Sequence, residues 1–167
     1  MGDISKAVAS LQEDFDAADR LVDEIYQKYF ASYFNGENEL YVKFQNAEVI
    51  ITDKELEWIL ITLPLNLKSA SSALAQFKQH NEIVKLTIKQ RKGKDVVADP
   101  ELDDEYKLMS IIYASVITRV ESELAFSKEL IMGAKKVWDA RRNSETAPVG
   151  EVVKEFDSEL PEYKIDI

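Results

Sequence analysis

Residues 63–88 read LPLNLKSASSALAQFKQHNEIVKLTI, and within them Leu63, Leu67, Ala70, Leu74, Phe77, Asn81, Val84 and Ile88 recur at alternating intervals of four and three. That alternation keeps one stripe of a helix facing a partner helix over several turns. Two further stretches repeat it. Ile4, Val8, Leu11, Phe15, Ala18, Val22, Ile25 and Tyr29 form one stripe; Tyr113, Ile117, Val120, Leu124, Ser127, Ile131, Ala134 and Trp138 form the other. The three stripes predict an all-α fold, a long antiparallel helical bundle with coiled-coil-like packing that oligomerises through its seams.

Composition agrees with the stripes. The chain has 167 residues, 46% of them hydrophobic, which is enough for one domain with a real core, and only five glycines and four prolines to make turns. It has no cysteine, so disulfides, thiolate metal sites and thiol nucleophiles are excluded. Met1-Gly2-Asp3 lacks the basic and apolar run of a secretory leader, and the longest apolar stretch, 56–67, is broken by Glu57, Pro64 and Asn66. A chain in the cytoplasm of a bacterial host, with no membrane partner, is the expectation.

The boundaries follow from local chemistry. Asp3 or Ser5 caps a first helix that is predicted to run to about Phe34, where Asn35-Gly36 suits a left-handed stop. Its aromatic end, Tyr26, Tyr29, Phe30, Tyr33 and Phe34, reads as a thick core end, an oligomer contact or a base-stacking surface. Leu40, Val42 and Phe44 alternate as in a strand and Val49-Ile50-Ile51 is β-branched, which predicts a small β-hairpin at 39–51. Thr52-Asp53-Lys54-Glu55 has the form of a capping box. Pro64 then falls about eleven residues into the helix that follows, so that helix is predicted to kink or restart near Leu63 and to continue to about Lys92. Asn81 is a polar residue on the seam, a device that fixes register. Asp99-Pro100 caps a third helix ending at about Asn143.

Two domains of different character result: a helical domain at 1–143 and a flexible acidic tail at 144–167. The tail holds seven acids against two bases, half of the chain's net charge of −10. Phe156, Leu160, Tyr163, Ile165 and Ile167 are spaced among its acids, a pattern able to bind a protein partner. Compositionally the tail resembles the acidic tip of bacterial single-stranded-DNA-binding proteins. It could equally fold over the protein's own basic clusters.

Those clusters are Lys85, Lys89, Arg91, Lys92 and Lys94 at the end of the second helix, and Lys135, Lys136, Arg141 and Arg142 around Trp138 at the end of the third. Cations gather at helix C-termini for structural reasons, and an antiparallel hairpin brings the first cluster close to the acids of 99–105. Read functionally, such residues follow a phosphate backbone while tryptophan stacks on a base. No catalytic motif is present: the carboxylates of the first helix are spaced around its solvent face, and Glu-x-x-His pairs, phosphate-binding glycine loops and serine elbows are missing. His80, the single histidine, reads as a surface or core-edge residue. A non-enzymatic chain without metal or cofactor is expected.

The stretch IVKLTIKQRKGK at 83–94, followed by a long helix closing on AKKVWDARR at 134–142, resembles the UvsY-type recombination mediators of T4-like phages over roughly residues 63–143. The resemblance implies a helical, oligomeric accessory protein of phage DNA recombination or replication. It also implies that Lys85, Lys89, Arg91, Lys92 and Lys94 contact the phosphates of single-stranded DNA, supported by the cluster of the third helix. The alternative is a protein-interaction adaptor, or an acidic phage inhibitor that competes with nucleic acid for a host defence enzyme.

Overall fold

The computed structural model describes residues 2–46, 50–93 and 97–146. Among these the protein is all-α and holds no strand. The chain divides into two units, Met1–Ser32 with Ala70–Ser122 and Tyr33–Ser69 with Glu123–Ile167.

The first unit contains α1 (Gly2–Tyr29) and parts of two long helices, α4 (Leu63–Arg91) and α5 (Pro100–Thr146). Asp99 starts α5 as its sequence implies, its side chain accepting the Leu102 amide at 3.1 Å, with Pro100 at the first helical position where no amide is needed. Here α4 and α5 run antiparallel. Arg91 donates to Asp103 at 2.6 Å, Ser110 to Asn81 at 3.2 Å, and Lys78 pairs with Glu121. Asn81 is buried and its amide oxygen finds the Ser110 hydroxyl only in this alignment, so any slip of one helix strands a polar group in apolar surroundings. Around them Ala70, Leu74, Val84, Ile112, Val116 and Val120 are buried. Phe77 joins the helices through edge-on and tilted contacts to Phe30 at 5.2 Å, Tyr113 at 5.2 Å and Tyr29 at 5.8 Å.

α1 stops earlier than its aromatic run suggests. The Phe30 amide makes the closing bond to the Tyr26 carbonyl at 2.9 Å, a 3-10 turn follows at Ala31–Tyr33, and Gly36 takes the left-handed φ of 89° that its lack of a side chain permits. Gly36 does not end the first helix; it is the N-cap of a new one.

That new helix, α2 (Glu37–Gln45), stands in place of most of the hairpin expected at 39–51. Glu37, Leu40, Tyr41 and Phe44 fall at helical spacing and turn inward, whereas Val42, the middle residue of the strand-like alternation, is 63% exposed. Period 3.6 therefore wins over period 2, helped by Glu39 in the first turn and Lys43 in the last. Residues 47–49 of that stretch lie outside the described residues.

The capping box of α3 (Asp53–Glu57) is formed in full: the Thr52 amide donates to Glu55 at 2.9 Å and the Glu55 amide to the Thr52 hydroxyl at 3.3 Å. Lys43 reaches Glu55 from α2, and with the Thr52 amide it holds that carboxylate down at about 2. A π-helical segment, Trp58–Thr62, then leads into α4 at Leu63. Proline at position 64 has no amide for the carbonyl four residues back and its ring crowds that carbonyl. The wider turn before it relieves the crowding, the Leu63 amide reaching five residues back to Trp58. Leu56, Ile59, Leu63 and Leu67 are buried along this path, with Leu124, Leu130 and Ala134 of α5 buried in the same unit.

Candidate interaction surface

Of the described side chains of α1 before Tyr26, none is buried. The four-three stripe continues through Phe15, Ala18, Val22 and Ile25, yet Phe15 is 65% exposed. Where α1 runs beside α5 the two helices leave an apolar groove of about 360 Å³, lined by Leu21, Ile25, Leu108, Met109, Ile112 and Tyr113, with Glu105 at its edge. Leu21, Leu108 and Met109 are exposed, while Ile112 forms a buried floor. Below the groove Arg119 clamps α1 to α5, donating to Asp23 at 2.9 Å and lying 3.8 Å over the Tyr26 ring. The groove therefore has a fixed wall at one end and an open apolar surface above it.

Its surroundings are acidic. Residues 13–24 of α1 hold six acids and one arginine, and residues 99–105 hold five acids and no base. Glu24, Glu101, Asp104 and Glu105 are exposed.

A second polar feature lies in the other unit. Glu37 is only 1% exposed, and the Ser127 hydroxyl lies 2.7 Å from both of its carboxyl oxygens and 2.8 Å from the Glu123 carbonyl oxygen. One hydroxyl hydrogen cannot serve three acceptor oxygens. A proton on Glu37 adds a second hydrogen, so that the carboxylic acid can donate to Ser127 while Ser127 donates to the Glu123 carbonyl. Burial pushes the Glu37 carboxyl up to about 7, the Glu123 carboxylate adding to the rise and the Ser127 hydroxyl opposing it. Ser127 stands out in the sequence as a polar residue on an apolar seam; Glu37, just before the stretch expected to form the hairpin, carries no such signal.

The basic residues are divided between the units. In the first, Arg91 is held by Asp103 and Lys85 by Glu82, while Lys89 and Lys92 are exposed one turn apart on the same face as Lys85. Lys94 lies outside the described residues. In the second, Arg141 donates to Asp53 at 2.7 Å and to the Ile51 carbonyl, tying the end of α5 to the start of α3. Lys135, Lys136, Trp138 and Arg142 are exposed beside it. Both clusters thus spend an arginine on an internal tie. His80 is exposed.

Of the acidic tail, residues 144–146 end α5; the remainder, with Phe156, Leu160, Tyr163, Ile165 and Ile167, lies outside the described residues. Among the described residues no cluster of three or more metal-binding side chains occurs, and no helix is long and apolar enough to cross a membrane. No protein-family model, curated protein or solved structure matches this chain.

Proposed function

We propose that this protein is a non-enzymatic interaction module, an adaptor that works by docking another protein onto the exposed apolar surface of α1 and α5. The observation that carries this reading is the groove at Leu21, Leu108 and Met109: apolar side chains left open to solvent beside one another mark contact surfaces far more often than single exposed ones do. The four-three stripes are read as the seams of an antiparallel bundle with coiled-coil-like packing, and the α1 stripe as one whose partner lies outside the chain. A photo-crosslinking amino acid placed at Leu108 is expected to give a discrete higher-mass adduct in lysate of the native host. The same group at Ala125, exposed elsewhere on α5, is expected to give none. Equal labelling from both positions, or none from Leu108, would sink the adaptor reading.

A second reading is favoured by the exposed row Lys85, Lys89 and Lys92: an accessory factor of DNA recombination or replication that holds single-stranded DNA along that row. Each phosphate contact adds salt-dependent affinity, against the repulsion of a chain with net charge −10. Fluorescence anisotropy with a labelled single strand at low salt tests it. Binding that weakens about tenfold in the double variant Lys89→Glu, Lys92→Glu is the expected result. Affinity unchanged by that variant removes these lysines from the contact.

A further inference from the structure

We propose that the α1–α5 groove takes a basic amphipathic helix of another protein, laid apolar face down with its lysines and arginines against the acidic rim. The inference rests on the adaptor reading above and names the chemistry of the partner. Shape comes first. The α5 wall from Glu105 to Tyr113 is about 12 Å long at 1.5 Å per residue, which matches two turns of a docked helix presenting anchors at i, i+3 or i+4, and i+7.

Charge then selects among occupants. A second copy offering its own α1 would bring residues 13–24, with six acids and one base, against the same acidic flank. The chain's own residues 147–167 carry six acids and two bases and meet the same repulsion. A basic helix meets a flank that is acidic on balance, Lys107 being paired with Asp104 at 2.8 Å, and the acids at Glu24, Glu101 and Glu105 both accelerate its approach and reject acidic competitors.

The methionines make the test direct. Met109 lines the groove and Met132 is exposed on α5 in the other unit, so methyl-labelled methionine gives the full chain a reporter and an internal control. The probe is a synthetic leucine–lysine amphipathic helix of about 18 residues, roughly five turns, with a leucine–glutamate helix of the same apolar face as its counterpart. Titration of the basic helix is expected to shift the Met109 methyl with a dissociation constant on the order of 10 µM, leaving Met132 in place. Leu108→Ser and Glu105→Lys are each expected to weaken binding about tenfold, the second effect fading in high salt.

Several results overturn the proposal. They are an unmoved Met109 signal, equal binding of the glutamate helix, or a Met109 signal that moves with protein concentration alone, which assigns the groove to a second copy. A spin label on Leu160→Cys, the sole cysteine of that variant, that broadens Met109 without peptide assigns it to the chain's own C-terminal segment. A Leu108 adduct in lysate without basic-helix binding would leave the adaptor reading standing and remove only the basic partner.

Discussion

Replacing Glu37 with glutamine is expected to raise the free energy of unfolding near pH 8 by up to about 3 kcal/mol and to leave it nearly unchanged near pH 4, as measured by urea denaturation across pH. The carboxyl is buried, its oxygens share one hydroxyl hydrogen with a carbonyl, and its folded-state value of about 7 lies above the ordinary 4.5. A raised value means that the folded chain binds this proton more tightly than the unfolded chain does. Between about 4.5 and about 7 the folded state therefore holds the extra proton, stability falls as pH rises through that window, and it levels off above it. Glutamine has the shape of the neutral acid and cannot ionise. The variant should lose this slope, and an unchanged slope would show that Glu37 is not its source.

Phe30→Ala is expected to cost about 3–5 kcal/mol of stability, the range for deleting a fully buried aromatic ring. Phe30 is completely buried, stands edge-on to Phe77, and marks the point where α1 ends. Its loss opens a cavity among rings that tie α1 to α4 and leaves Phe77 with a gap on one side. Phe15→Ala, on the same helix but exposed, should stay within about 0.5 kcal/mol. Comparable losses in the two variants would mean that α1 is held by something other than this aromatic cluster.

The helices were the legible part of this chain because each rests on a local rule. Alternation by four and three identified the α4 face on which Leu63, Leu67, Ala70, Leu74, Asn81 and Val84 are buried. Thr52 and Glu55 lie three residues apart and complete a cap whatever surrounds them. Pro64 announces a disturbance, which takes the form of the π-helical segment Trp58–Thr62. Two misreadings share a cause. The alternation of Leu40, Val42 and Phe44 and the β-branched run 49–51 suggest strands, and neither registers Glu37, a carboxyl that occupies an inward position of α2. The groove escaped because a stripe fixes which face of a helix is apolar and leaves open whether its partner belongs to the same chain, as Phe15 demonstrates. Arg91 and Asp103 sit only twelve residues apart, so their pairing was readable once α4 and α5 were folded back on each other. Arg141 and Asp53 are separated by 88 positions, and nothing local connects them.

The division of the chain has a consequence for its synthesis. Everything in the first unit has been synthesised once Ser122 is added, whereas the second unit still lacks Glu123 and all that follows. Glu37 is thus translated 90 residues before Ser127, the group that covers it. Until then the nascent chain carries a hydrated, ionised carboxylate at that position. At neutral pH, completion of the second unit takes up about half a proton on average, so acidity of the surrounding medium enters its folding as a reactant.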